Sequence, residues 1–352
     1  MIKVLVVDDT TEMRHLLVEI LSSDPQIEVV GSAPNTYMAL EKIKSLNPDV
    51  LTLDVRMTQM EGMSFLRRIM ESNPLPVVMV SSMGSDGADI TLQALELGAI
   101  DYMAKPLKDK QTELQNYARE FINKVKIASK ARIRPSPESL PNRILSSVNS
   151  TLPEVPKALG QAEMIIALGA STGGTEALKD VLCHLPQSTP GIVITQHIPI
   201  AFSKPFSERL NANSAMTIHQ ALDGQPILAG HGYVAPGDRH LEVVREGSHY
   251  ICRLRDTDPV NRHKPSVEVM FNSVAKNVGK HAIGVLLTGM GDDGADAMGA
   301  MKNSGAVTIA QDEASSVVWG MPGEAVKRGH ASEVLPLSKI AERILYLVQK
   351  HR

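Results

Sequence analysis

Short, uninterrupted runs of Val, Ile and Leu, alternating with longer stretches of helical period, constrain this chain more than any other feature. Residues 2–7 read IKVLVV, 27–31 IEVVG, 50–54 VLTLD, 76–81 PVVMVS and 100–104 IDYMA. Segments of helical period lie between them, including Thr10 to Leu21, Thr36 to Leu46 and a last one from about Asp109 to Ser129. A strand that is apolar on both sides must be covered on both sides, so these runs predict a parallel sheet with helices on each face.

The alternation stops at residues 130–158, which hold five prolines and no sustained hydrophobic period, the composition of a linker. It then resumes. EMIIALGAS, GIVITQ, AIGVLLTG and AVTIA read as buried strands. Helices are expected over Thr175 to His184, about Ala201 to Asn211, Val267 to Val278, about Gly294 to Ser304, and Ser338 to Gln349. GYVAP, LEVVRE and HYICRL look like short antiparallel strands. The 352 residues therefore divide into a flavodoxin-like five-stranded domain over 1–125, a linker over 126–158, and a doubly wound, mostly parallel α/β domain with a short antiparallel portion over 159–352. From Lys124 to Arg143 the linker region carries six basic residues against one acid, which reads as a solvated face or a docking patch.

Composition argues against several classes. The formal charge is -3 and the aromatics are five Phe, six Tyr and one Trp, so the chain has neither the basic balance nor the stacking platforms that nucleic-acid binding requires. No apolar run approaches membrane-spanning length, and MIKVLVVDDT places two acids where a signal peptide would stay apolar; a cytoplasmic protein without membrane insertion is expected. Cys183 and Cys252, the two cysteines, are too few for a disulfide framework or a four-cysteine metal site.

Asp8 and Asp9 end the first strand and Asp54 the third, and in a doubly wound sheet these ends meet in one crevice. Three carboxylates repel one another unless a hard cation joins them, so Mg²⁺ with oxygen ligands is the natural occupant. Ser81 ends the fourth strand, and Lys105 brings an ammonium to the end of the fifth. The set reads as a site that accepts a phosphoryl group on a carboxylate. Residues 1 to about 125 resemble the receiver domains of two-component response regulators. The resemblance implies Asp54 as the phosphoacceptor, Asp8, Asp9, Asp54 and the Arg56 carbonyl as Mg²⁺ ligands, and a histidine kinase as phosphodonor. It also implies Ser81 and Tyr102, with Lys105, as the residues that sense the phosphorylated state.

In the second half, GASTGG follows a strand and opens a helix, satisfying G-x-S-x-G, a turn sharp enough to expose the Ser171 hydroxyl. A dinucleotide loop would need glycine at Ser171. The neighbouring strand ends at Gln196-His197, so topology favours His197 as the base over His231 and His240. An acid on a third strand end should orient the imidazole, and GMGDDG offers both Asp292 and Asp293, between which spacing does not choose. The glycines around Met290 leave backbone amides open for an oxyanion.

GASTGGTEAL, ITQH and LLTGMGDDGADAM together resemble the chemotaxis protein-glutamate methylesterases. The resemblance covers about residues 160 to 350 and implies Ser171, His197 and Asp293 as the triad, with the Met290 amide as oxyanion donor. Family members often carry Asn at the position of Asp292, so a second negative charge is expected beside the triad acid. HKPSVEVMF, residues 263–271, also matches, as structure or cleft lining. The implied activity is hydrolysis of glutamate methyl esters on chemotaxis receptors and deamidation of receptor glutamines, controlled by phosphorylation of Asp54. No cofactor is expected for the esterase reaction, and a monomer is expected. Competing readings are a receiver-controlled scaffold with a catalytically silent second domain, a transcriptional regulator, and a metallohydrolase. The second lacks a basic helix-turn-helix and the third lacks H-E-x-x-H.

Overall fold

A computed structural model describes residues 1–54, 59–81, 85–106, 111–131 and 164–350. The chain divides into two compact units, residues 1–146 and 147–352. In the first, β1 (Ile2–Val7), β2 (Ile27–Ala33), β3 (Val50–Asp54), β4 (Val77–Ser81) and β5 (Asp101–Ala104) form a parallel sheet in the order β2-β1-β3-β4-β5. Helices α1 (Thr11–Ser22), α2 (Thr36–Leu46), α3 (Gln59–Ser72), α4 (Ser85–Glu96) and α5 (Gln111–Ala128) connect the strands and follow the last one. Residues Val50 to Asp54 are buried along the whole strand, which is why they read as an unbroken apolar run ending in one acid.

Two lysines of the basic stretch belong to α5 and are neutralised within the unit. Lys124 lies 2.9 Å from Asp101, and Lys126 lies 2.6 Å from Asp24. The remainder of that stretch, beyond Ala131, falls outside the described residues, as does residue 56.

The second unit is built on seven strands in the order β14-β13-β12-β6-β7-β9-β8. Their ranges are β6 Ile165–Ala170, β7 Gly191–Gln196, β8 Thr217–Gln220, β9 His231–Val234, β12 Ala282–Leu286, β13 Val307–Gln311 and β14 Glu333–Leu335. All six pairings are parallel. Among the named strands of the described residues, β10 (His240–Glu246) and β11 (His249–Arg255) are the antiparallel pair and form a hairpin. GYVAP therefore corrects the expectation from sequence: it supplies β9, which runs parallel between β7 and β8. Its partner β8, TIHQ, is only four residues long with one apolar residue, Ile218, so it shows no apolar run to be read.

Helices α6 (Gly174–Leu182), α7 (Ile200–Ala212), α8 (Val267–Asn277), α9 (Ala295–Asn303), α10 (Met321–Lys327) and α11 (Leu337–Lys350) surround this sheet and its hairpin. α8 packs against the hairpin and α9, and its fully buried Phe271 and Met270 belong to the central cluster with Leu241, Val243 and Met298. This packing fixes the N-terminus of α8 relative to the carboxyl ends of β6, β7 and β12. Phe271→Ala should destabilise this unit by about 3–5 kcal/mol through lost burial and a residual cavity, checked by the shift in denaturant midpoint.

Candidate functional site

In the first unit, parallel register brings Asp8 and Asp54 to one edge, where both are buried while Asp9 is exposed. One carboxylate oxygen from each of the three lies within 4.8 Å of the others. Lys105 donates to Asp8 Oδ2 at 2.8 Å and to Asp54 Oδ2 at 2.7 Å. Burial alone would push the Lys105 ammonium down, but the hydrogen bonds to Asp54 and Asp8 and their charges hold its pKa above the usual lysine value. The Thr10 amide donates to Asp8 Oδ1, and Arg14, which sequence reasoning passed over, donates to the Asp8 and Asp9 carbonyls. An all-oxygen donor set with a partly open position suits a hard divalent cation. Arg56 lies outside the described residues.

Ser81 is buried at the end of β4 and approaches the Gly87 carbonyl at 3.4 Å. Tyr102 is buried on β5, with the Lys124 ammonium 5.6 Å from its ring centre and its amide donating to Asp101. Burial first, then the charges of Asp101 and Glu120, push its phenol well above the usual value.

In the second unit, Ser171 follows β6 directly. The Gly174 amide closes a turn onto the Ser171 carbonyl at 2.7 Å, and Gly173 holds φ 74° and ψ 1°, left-handed backbone that glycine adopts without strain. Ala170 pairs with Gln196 across β6 and β7, so His197 leaves the sheet level with Ser171. His197 Nδ1 lies 3.1 Å from Ser171 Oγ, and Nε2 lies 2.8 Å from Asp293 Oδ2. An ionised carboxylate only accepts, so Nε2 carries the proton and Nδ1 presents its lone pair to the serine hydroxyl.

Asp293 is buried and collects four further donors. Ser266 Oγ at 2.7 Å, Asn261 Nδ2 at 2.9 Å and the Glu268 amide at 3.3 Å donate to Oδ1, while the Val267 amide donates to Oδ2 at 2.7 Å. Burial alone would raise its pKa, but the His197 hydrogen bond and charge, followed by Asn261 and Ser266, bring it down to about 2. Asp292 is exposed and donates nothing to this cluster; the Arg328 guanidinium binds it at 2.8 Å. The geometry thus separates two acids that spacing left equivalent, and the expected second charge beside the acid is neutralised by Arg328.

The competing histidines are engaged elsewhere. His231 Nδ1 lies 3.0 Å from His219 Nε2, and His240 accepts from the Ser266 amide and faces the Asp258 carbonyl. The Met290 amide has no hydrogen-bond partner among the described residues, whereas the neighbouring Gly289 amide is taken by the Val318 carbonyl. Gly289 is required by close approach: a Cβ there would lie 2.8 Å from Ser171 Cβ and 2.3 Å from Met321 Sδ.

Several residues escaped sequence reasoning. Gln196 donates to the Ser171 carbonyl at 2.9 Å, the His263 ring stacks on His197 with centroids 3.6 Å apart, and Asn261 and Ser266 hold Asp293. The one signal was the family-like HKPSVEVMF segment, whose contacts with Asp293 are made across 25 to 27 residues.

A five-stranded acidic-pocket domain followed by an α/β domain with a serine, histidine and acid in hydrogen-bonded series defines a receiver joined to a hydrolase-type unit. Comparison with known proteins agrees. Residues 4–118 match the response regulator receiver domain and residues 166–344 match the CheB methylesterase model. The chain is 54% identical to a protein-glutamate methylesterase/protein-glutamine glutaminase of Hydrogenovibrio crunogenus, covering 99% of both chains. It is 51% identical to such a protein of Xanthomonas campestris, covering 100% of this chain and 98% of the other. The crystal structure of the Thermotoga maritima CheB methylesterase catalytic domain matches 52% of this chain and 98% of its own at 36% identity, with a TM-score of 0.51. The chain belongs to the CheB methylesterase family, with a receiver domain at its N-terminal side. No helix among the described residues is long and apolar enough to cross a membrane.

A carboxyl group depressed from 3.8 to about 2 stabilises the folded state above its unfolded pKa, and that contribution is lost as pH falls through about 2. The shift corresponds to roughly 2 kcal/mol. Asp293→Asn should therefore be less stable than the parent at neutral pH, with the deficit narrowing between about pH 4 and pH 2, measured by denaturant unfolding across that range.

Proposed function

We propose that this chain is a phosphorylation-regulated serine hydrolase that demethylates glutamate methyl esters on chemotaxis receptors and deamidates receptor glutamines. The observation that carries this reading is the continuous series from Ser171 Oγ through the His197 ring to the buried, ionised Asp293. Ser171 attacks the side-chain carbonyl carbon while His197 Nδ1 takes its proton, and Asp293 stabilises the imidazolium that forms. The unpartnered Met290 amide donates to the developing oxyanion. Collapse breaks the carbon–oxygen bond, and the Nδ1 proton goes to the departing methanol. Water, deprotonated by the same nitrogen, then hydrolyses the acyl-enzyme and leaves a glutamate carboxylate. A glutamine side chain follows the same course with ammonia as leaving group.

The N-terminal unit receives the signal. Asp54 accepts the phosphoryl group from a histidine kinase; Asp8, Asp9, Asp54 and the Arg56 carbonyl would hold Mg²⁺, which would supply charge neutralisation for the phosphoryl transfer. Lys105 pairs with the phosphorylated site, and Ser81 and Tyr102 report its state to the surrounding surface. The domains run over 1–125 and 159–352 with a linker between, and the protein acts as a cytoplasmic monomer that needs no cofactor for ester hydrolysis.

Methanol release from methylated receptor membranes tests both halves. Ser171→Ala should abolish release; release persisting in that variant removes the nucleophile assignment. A small acyl phosphate with Mg²⁺ should raise release by the full chain, and Asp54→Asn or chelation of the metal should abolish the rise.

A further inference from the structure

Residues 260–263 make a two-residue hairpin. Val260 and His263 exchange backbone hydrogen bonds of 2.9 and 3.1 Å, and the two central residues are both left-handed, Asn261 at φ 51° and Arg262 at φ 69°. Such a turn favours Asn followed by Gly. Asn261 meets the preference, but Arg262 stands where glycine would relieve strain, and strain kept at a site points towards function. The two flanks of Arg262 are pinned to the reactive groups: Asn261 donates to Asp293 and the His263 ring stacks on His197.

Arg262 is exposed and makes no ion pair or hydrogen bond among the described residues. Cations on neighbouring segments have carboxylate partners. Lys264 binds Asp256 at 2.9 Å, Arg239 binds Asp256 at 3.0 Å, and Arg328 binds Asp292 and Asp296 at 2.8 and 2.9 Å. The one nearby buried anion, Asp293, is already saturated by its donors. Both activities turn a neutral side chain into a carboxylate, so a substrate segment with several modifiable positions carries carboxylates beside its remaining esters. A chain of net charge -3 has no general attraction for such a segment, and a guanidinium fork is suited to bind a carboxylate in two-point fashion.

We infer that Arg262, at the tip of the turn that touches both His197 and Asp293, is a specificity-determining residue that pairs with a carboxylate flanking the scissile ester on the protein substrate. The inference rests on the methylesterase reading above.

The test uses the full chain and two helical peptides, each carrying one glutamate methyl ester, flanked three and four residues away by glutamate in one and by serine in the other. The wild-type kcat/KM should favour the glutamate-flanked peptide by about threefold to tenfold. That ratio should fall to about one in Arg262→Gln, and also in Arg262→Gly, which removes the backbone strain with the charge, while Arg262→Lys should retain part of it. A wild-type ratio of one, or a preference that survives in both Arg262→Gln and Arg262→Gly, overturns the role of Arg262 and leaves the esterase reading standing. If the wild type releases methanol from neither peptide yet hydrolyses a small neutral ester, the protein-esterase reading falls and the inference with it.

Discussion

An ionised carboxylate removed from water must be surrounded by donors, and the second unit is arranged around that demand at Asp293. Its five donors come from His197, from the 260–263 turn, and from Ser266 and the first amides of α8. The N-terminus of α8 aims amides and the positive end of its dipole at the carboxylate. The exchange is reciprocal, because Glu268 in the first turn of α8 accepts from the Gly294 amide that precedes α9. Burial, together with the charges of Asp293 and Asp296, holds the Glu268 carboxyl above its usual value. Two helix starts thus cross-cap each other, and His197 is oriented as a consequence.

The first unit meets a related demand differently. Asp8 and Asp54 are buried with Lys105 between them, while Asp9 remains exposed, so one ammonium pairs with two buried carboxylates. The pocket of Asp293 is filled by the chain's own donors and favours one fixed ionisation state. At Asp54, by contrast, three clustered carboxylates share one ammonium, an arrangement suited to a hard cation.

Much of this was legible in order along the chain. Unbroken apolar runs gave away most strands of both sheets, though not β8 or β14, and residues at or just after strand ends, such as Asp54, Lys105, Ser171 and His197, were accessible because parallel topology sends all strand ends to one edge. The short strand β8 and the parallel direction of β9 were not legible, since four residues with one apolar side chain carry no period and direction is a property of the partner. Likewise Asn261, Ser266 and the His263 ring gave no local sign of their contacts, which depend on how the β10–β11 hairpin and α8 bring a distant segment back to the sheet.

The amino-acid sequence by itself determined two α/β units, an acidic crevice in one and a serine on a glycine turn in the other, because burial patterns and turn chemistry act within a few residues. Spacing left Asp292 and Asp293 equivalent, being adjacent in chain and alike in chemistry, and the family resemblance alone singled out Asp293. Only the tertiary structure supplies the physical distinction, by burying Asp293 against His197 and the start of α8 while turning Asp292 out to Arg328. The free energy of a buried charge depends on which donors surround it, and those donors are gathered only when the chain has folded.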